Sequence, residues 1–301
     1  MRTWFSICIL LFLFCSVVSA QEPPVLIPRV YLPIVIGSGA EPHRVNAALS
    51  QCCTVTCDKV FSYGAEWVSG WNPYIERCGL PSSPMIRDLN QWEGVKAGVY
   101  SLSETVLPIQ MLNEPENGDC SAGACINLTT LVTITHEIEL AYPDKELASP
   151  AFLPSWVSQA YTLLDWVDAY YNMYGVYPRF EILTLHAYGS ESLGAWSNSF
   201  NATANDYDST LNQLEQRGYT NLRVWITEMG FWCADPQSML CQMDAKFFLQ
   251  AWFNKCNADS RCEYINWFSI RNGDYGFVMP LEFANGTKSL VGQLWVTQFA
   301  D

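Results

Sequence analysis

The chain has 301 residues, half of them apolar, and a formal charge of −14 at pH 7. An acidic surface of that size repels phosphate backbones, which argues against nucleic acid as a partner. The apolar half is ample for one large core, and the length suits a single domain, since barrels of roughly 250 residues are routine.

Residues 1–20 read as a cleaved secretory signal. Arg2 supplies a positive start, an apolar stretch follows from Phe5, and Val18-Ser19-Ala20 is a small-residue cleavage site. The apolar run is too short for a membrane span, so the expectation is a secreted monomer without stable membrane insertion. Residues 21–50, rich in proline and carrying Gly37-Ser38-Gly39, read as a tether, and residues 51–301 as one folded domain. After the signal the cysteines are Cys52, Cys53, Cys57, Cys78, Cys120, Cys125, Cys233, Cys241, Cys256 and Cys262. An even set in an exported chain implies disulfides. Cys120–Cys125, Cys233–Cys241 and Cys256–Cys262 are expected as local clips. Cys52, Cys53, Cys57 and Cys78 then form the remaining bridges, with two connectivities open if the adjacent pair does not bond. Asn127, Asn201 and Asn285 stand in glycosylation sequons. No CxxC pair is present, His136-Glu137 lacks a second histidine, and there is no GxSxG elbow. Metal chemistry, a serine triad and a cofactor therefore have no support.

From Cys57 onward, short apolar runs alternate with helical periodicity. Strands are expected at 60–63, 85–89, 98–102, 109–112, 146–152, 180–186, 222–227 and 264–270, and the clearest helices at 156–174, 207–217 and 245–254. Strands alternating with helices in one domain predict an α/β fold of the (β/α)8 barrel type.

Two of the expected strands end alike. In "PIQMLNEPENGDC" the apolar run reaches Leu112 and is followed by Asn113-Glu114-Pro115; in "NLRVWITEMGFWC" the strand ends at Glu228. Active sites of such barrels are built at the C-terminal ends of the strands. At roughly 31 residues per βα unit, the separation of the two glutamates fits strands four and seven. A lone strand-end carboxylate is ordinarily a solvated charge. Two at matching ends of one barrel suit cleavage of a glycosidic bond, where one protonates the departing oxygen and the other attacks carbon or activates water.

Around this pair, Asn113 and His186 are candidate hydrogen-bonding partners of a sugar, and His186 is also a candidate to orient Glu228. Tyr63, Trp67, Tyr188, Trp232 and Trp267 are candidate aromatic platforms, because sugar C–H faces stack on such rings. Most tryptophans of a barrel serve its core, so Tyr188 and Trp267 are favoured over Trp67 and Trp232. Glu66 reads as surface charge.

The stretches Leu112-Asn113-Glu114-Pro115 and Trp225-Ile226-Thr227-Glu228 resemble those of clan A glycoside hydrolases. With Pro84-Met85, Ala148-Ser149-Pro150-Ala151, His186-Ala187-Tyr188-Gly189, Trp267-Phe268 and Gly292-Gln293-Leu294-Trp295, the ordered pattern is similar to glycoside hydrolase family 128, the Asl1-like catalytic domain. The resemblance runs from about Phe61 to Trp295. It implies a retaining β-1,3-glucan hydrolase with Glu114 as acid/base and Glu228 as nucleophile. The chain departs from the pattern at Ser62-Tyr63-Gly64-Ala65-Glu66-Trp67 and in having His-Ala-Tyr at the sixth strand. Alternatives are a hydrolase of β-1,4-glucan, mannan or xylan, and a barrel that binds cell-wall carbohydrate without cutting it. A retaining mechanism further requires a Glu114 whose proton affinity is raised by its surroundings.

Overall fold

Short strands separated by helices form one sheet in the computed structural model, which describes residues 46–50, 57–69, 76–103, 105, 107–117, 126–268, 270 and 278–300. The strands are β1 (Asn46–Ser50), β2 (Trp67–Ser69), β3 (Glu76–Arg77), β4 (Leu80–Ser83), β5 (Met85–Ile86), β6 (Ile109–Met111), β7 (Leu147–Ala148), β8 (Ile182–Ser190), β9 (Arg223–Trp232) and β10 (Cys262–Trp267). Their order is β3-β4-β2-β1-β10-β9-β8-β7-β6-β5. Every pairing except the β3–β4 hairpin is parallel. Only Pro84, which has no N–H to donate, separates β4 from β5. Leaving aside the antiparallel β3, the parallel sheet thus begins and ends in halves of one interrupted strand, and it closes into a (β/α)8 barrel.

The helices are α1 (Cys57–Ser62), α2 (Leu89–Lys96), α3 (Leu128–Ala141), α4 (Leu163–Tyr174), α5 (Trp196–Gln216), α6 (Met239–Ala258) and α7 (Leu290–Phe299). Local chemistry sets their ends. Asp88, Asn127 and Ser289 cap α2, α3 and α7 by accepting from backbone N–H groups of the first turn. In α4, Thr162 and Asp165 form a reciprocal capping box, and left-handed Gly175 closes the other end. That box starts the helix later than the apolar periodicity from Trp156 suggests.

Several expectations are corrected. Residues 60–63 are not a strand: Val60 lies in α1. Residues 98–102 follow α2 as turns. The first barrel strand is instead β1, inside the expected tether, paired with β10 and β2. The two missed strands replace the two wrong ones, so the numbering of the later strands is unchanged. Residues 60–63, Val-Phe-Ser-Tyr, are too few for their apolar pattern to distinguish the two periods. Cys233–Cys241 and Cys256–Cys262 are bonded as expected. Cys57 pairs with Cys78, which excludes both connectivities left open for that group. Cys52, Cys53, Cys120 and Cys125 lie outside the described residues. No helix among the described residues is long and apolar enough to cross a membrane.

Packing has two layers. The larger lies between strands and helices and includes Leu183, Ile226, Met229, Phe248 and Trp252. A smaller cluster of Ala148, Ile182 and Trp225 fills the barrel interior. This rigid base supports the strand ends that carry the glutamates.

Within the outer layer, Glu139 of α3 accepts from the Tyr170 hydroxyl of α4 at 2.8 Å. Burial pushes its carboxyl up to about 7, against hydrogen bonds from Tyr170 and the Arg179 backbone. The folded state therefore holds this proton more tightly than the unfolded chain, whose ordinary value is 4.5. Stability falls as pH rises from 4.5 through 7 and stays lower above it. Glu139→Gln is expected to raise the melting temperature at pH 8 and to change it little at pH 4.5, as thermal unfolding followed by circular dichroism will show.

Candidate active site

Glu114 follows β6 in an unusual turn. Leu112 and Glu114 are both left-handed, with φ of 53° and 42°. Such conformations cost a non-glycine residue about 1–3 kcal/mol and persist only where neighbours over-determine them. Here the adjoining strands do so. Leu112 N–H donates to Ile86 O at 2.8 Å, Asn113 N–H to Arg87 O at 3.1 Å and Glu114 N–H to Ala151 O at 2.8 Å. The chain thus leaves the strand with the Glu114 carboxyl buried at the mouth.

Glu228 reaches the same place by another device. Strand residues alternate between the barrel interior and the helix layer. Trp225 faces inward, beside Ala148 and Ile182, while Val224 and Ile226 belong to the outer layer. Strict alternation would turn Thr227 inward and Glu228 outward. The register instead passes from Leu185↔Ile226 to His186↔Glu228, so Thr227 is bulged out of the pairing. Asn266 Nδ2 donates to Thr227 O at 2.7 Å and fastens the bulge. After it the parity is reversed: Glu228 faces inward and Met229 and Phe231 join the outer layer.

His186 stands between the two carboxylates. Its Nδ1 is 2.9 Å from Glu114 Oε1 and 3.8 Å from Glu228 Oε2. Asn117 Nδ2 donates to Glu114 Oε2 at 2.9 Å, and the Tyr188 hydroxyl donates to Glu228 Oε2 at 2.6 Å. Burial alone would push the imidazole down, but the charge of Glu228, with the hydrogen bond and charge of Glu114, outweighs it and pushes His186 up to about 9. Burial likewise pushes Glu114 up, yet His186, Asn117 and Arg87 together hold it below its ordinary value. The expected upward shift of Glu114 is therefore corrected: in the free protein the proton rests on His186. Atoms of the three residues lie within 4.8 Å of one another, a spacing a cation could also bridge. The imidazolium supplies positive charge there.

The other sequence candidates divide. Asn113 is buried, and its Oδ1 has no hydrogen-bond partner among the described residues. Tyr188 is buried and spends its hydroxyl on Glu228, so it holds a carboxylate where a stacking platform was expected. Its ring needs Gly230 opposite: a Cβ there would lie 2.8 Å from Tyr188 Cε1. Trp232 is half-buried at the mouth, with its ring 5.7 Å from that of Tyr188. Trp267, favoured as a platform, is completely buried and donates its indole N–H to Met279 O at 2.9 Å, because its strand position turns it into the outer core. Tyr63 follows α1, is completely buried, and donates to Glu282 Oε2 at 3.2 Å, a carboxylate also paired with Lys59 at 2.5 Å. It takes no part in the site. Trp67 opens β2, so its backbone lies at the start of a strand and not past its end. Glu66 is exposed.

Sequence reasoning missed three residues. Trp156 packs edge-on against Trp232 at 5.3 Å and donates its indole N–H to Tyr188 O at 3.0 Å. It was assigned to a helix whose true start, the Thr162 cap, was the available signal. Asn117 and Glu116 follow Glu114 in the turn, and Glu116 is 2% exposed. A carboxyl two residues after a strand-end glutamate was the only hint of its burial.

Paired, buried carboxylates with a proton donor between them, at the ends of strands four and seven of a (β/α)8 barrel, define a glycoside hydrolase. The chain belongs to the family described as Glycosyl hydrolase catalytic core, whose profile matches residues 48–300. No curated protein matches it. Among solved structures it is similar to a family 128 (subgroup II) endo-β-1,3-glucanase from Sorangium cellulosum, with TM-score 0.62, 17% identity, and coverage of 84% of this chain and 98% of that one. It is similar to a subgroup I endo-β-1,3-glucanase variant from Amycolatopsis mediterranei in complex with laminaritriose and laminaribiose, with TM-score 0.57, 19% identity, and 83% and 98% coverage. A subgroup VII oligosaccharide-binding protein from Trichoderma gamsii gives TM-score 0.59, 15% identity, and 86% and 95% coverage.

Two substitutions probe the Glu228 contact. Tyr188→Phe removes one charge-assisted hydrogen bond to a buried carboxylate and is expected to lower kcat by about 10- to 100-fold. Gly230→Ala is expected to act in the same direction by displacing the ring. Steady-state kinetics with KM nearly unchanged is the result expected of both.

Proposed function

We propose that the protein is a secreted, retaining hydrolase of β-1,3-glucan in which Glu228 is the nucleophile and Glu114 the acid/base. The observation that carries this reading is proximity: one carboxylate oxygen of Glu114 and one of Glu228 lie within 4.8 Å of each other, with His186 Nδ1 in reach of both, which favours the closer, retaining kind of pair. Retaining pairs stand about 5–5.5 Å apart, whereas inverting pairs need about 6.5–9.5 Å to admit a water. The glucan assignment is supported by the likeness to endo-β-1,3-glucanases and to a laminari-oligosaccharide complex. The signal-like residues 1–20 support secretion. A role limited to binding sugar, to which the likeness to the Trichoderma gamsii oligosaccharide-binding protein points, would not require two carboxylates and a buried proton donor.

The hydrogen bonds suggest how the proton moves. A sugar entering the mouth displaces water, and loss of water disfavours the His186–Glu114 ion pair relative to the neutral pair. The Nδ1 proton passes to Glu114 Oε1. Glu228 attacks the anomeric carbon, and Glu114 delivers its proton to the departing glycosidic oxygen. Ester formation cancels the Glu228 charge that raised His186, which favours the same transfer. In the second half, anionic Glu114 takes a proton from water as that water's oxygen displaces Glu228 from carbon, and the charge of the liberated Glu228 draws the proton from Glu114 Oε1 back to His186 Nδ1. Trp232 with Trp156 forms an aromatic wall at the mouth, beside the reacting ring.

The reading has two tests. Reducing-end release from laminarin is expected to exceed that from cellulose, mannan and xylan; equal release from a β-1,4 polymer would remove the linkage assignment and leave the mechanism. Glu228→Ala is expected to abolish turnover. Glu114→Ala is expected to spare aryl glycosides with acidic leaving groups and to yield a β-glycosyl azide when azide is added; inverted product by NMR would make Glu228 a general base.

A further inference from the structure

Glu116 has no role in that scheme, yet few charged side chains are buried more deeply. Its Oε1 accepts the Leu153 N–H at 2.6 Å, and its Oε2 has no hydrogen-bond partner among the described residues. Leu153 belongs to the segment after β7 that also carries Ala151. Ala151 O accepts from Glu114 N–H at 2.8 Å, and Ala151 N–H donates to Leu112 O at 3.2 Å. Three ties therefore join the turn after β6 to the segment after β7. Two are backbone hydrogen bonds, and the third is the Glu116 side chain. They bracket the two left-handed residues, Leu112 and Glu114. A left-handed residue before a proline is held by its surroundings and not by its own preference. A hydrogen bond from backbone to an acidic side chain is a costly tie to bury unless it does something that a neutral side chain would not.

We propose that Glu116 is a positioning residue of the reaction: its carboxyl clamps the turn after β6 to the segment after β7, holding Glu114 against His186, and its charge strengthens their grip on the shared proton.

Among the described residues, the charged and titratable groups that act on Glu116 include Glu114 on its own turn, His186 from β8 and Tyr161 ahead of α4. Burial pushes Glu116 up to about 7, Glu114 adds to the shift, and the Leu153 hydrogen bond and His186 oppose it. The coupling is reciprocal. The Glu116 anion is one of the charges that raise His186, and it repels the Glu114 anion in the same way. As Glu116 ionises near neutrality, it helps the acid unit keep its proton at higher pH. This role depends on the hydrolase reading above.

The test uses two variants of the full chain. Glu116→Gln keeps an acceptor for Leu153 N–H and removes the charge; Glu116→Ala removes both. In kcat/KM against pH, Glu116→Gln is expected to move the alkaline limb down by about half a unit or more, with the plateau within about threefold of the parent. Glu116→Ala is expected to lower kcat by about 10- to 100-fold at every pH with KM nearly unchanged. A residue that merely stabilised the fold would lower the melting temperature of both variants and leave the limb in place, and that result would overturn the proposal. An unchanged plateau in Glu116→Ala would overturn it as well. NMR titration of the His186 ring and of 13C-labelled glutamate carboxyls needs no turnover. Protein that hydrolyses no glucan would end the hydrolase reading, while a His186 step shifted to lower pH in Glu116→Gln would still support the coupling, and an unshifted step would end it.

Discussion

Two carboxylates are buried within 4.8 Å of each other at the mouth of a barrel. Like charges so placed, away from water, are expensive unless a positive group stands among them. His186 is that group, 2.9 Å from one carboxylate and 3.8 Å from the other. Its protonation follows from its position, because the anions that need a counter-charge are the ones that raise its proton affinity. The same arrangement stores the proton that glycosidic cleavage consumes. Stability and chemistry at this site rest on one electrostatic balance.

Bringing the three side chains together required breaking regular structure at two strands. After β6 the chain takes two left-handed residues. Within β9 a bulge at Thr227 reverses which residues face the interior. Each irregularity is held by hydrogen bonds from adjacent strands, namely Ala151 to Leu112 and Glu114, and Asn266 to Thr227. Below them the outer core and the interior cluster of Ala148, Ile182 and Trp225 remain regular. Two of the four left-handed non-glycine residues among the described residues, Leu112 and Glu114, thus stand at the rim, where a scaffold positions reactive groups. The Cys233–Cys241 disulfide lies immediately beyond β9 and stiffens the loop that follows.

The similar structures share this scaffold at 15–19% identity and include glucanases and an oligosaccharide-binding protein. Layer packing is satisfied by many sequences, whereas a reaction depends on a few groups within a few ångströms. Function in this chain is therefore argued from Glu114, His186, Glu228 and Tyr188, and not from the barrel.

The alternation of apolar runs and helical periods was sufficient for the (β/α)8 class, and the strand-end positions of Glu114 and Glu228 were legible because a carboxylate that ends an apolar run is locally conspicuous. The identity of the first strands was not legible, since β1 is five residues long and follows a proline-rich stretch. The aromatic candidates show the other limit. Trp267, Tyr63 and Tyr188 were judged by nearness to strand ends, but whether a ring meets solvent, core or a carboxylate depends on which way its position faces. Facing is a property of register, and register is set by neighbouring strands. The bulge at Thr227 makes the point most plainly: periodicity along Asn221 to Cys233 turns Glu228 away from the mouth, and only its pairing with β8 and β10 turns it in. The sequence by itself determined the fold class and the two acids, because both are written in local pattern. His186 was a candidate in the sequence, but tertiary structure alone decided that it holds a proton between the two acids and that Glu116 joins them, because the proton affinity and contacts of a buried group depend on charges brought near it from distant parts of the chain.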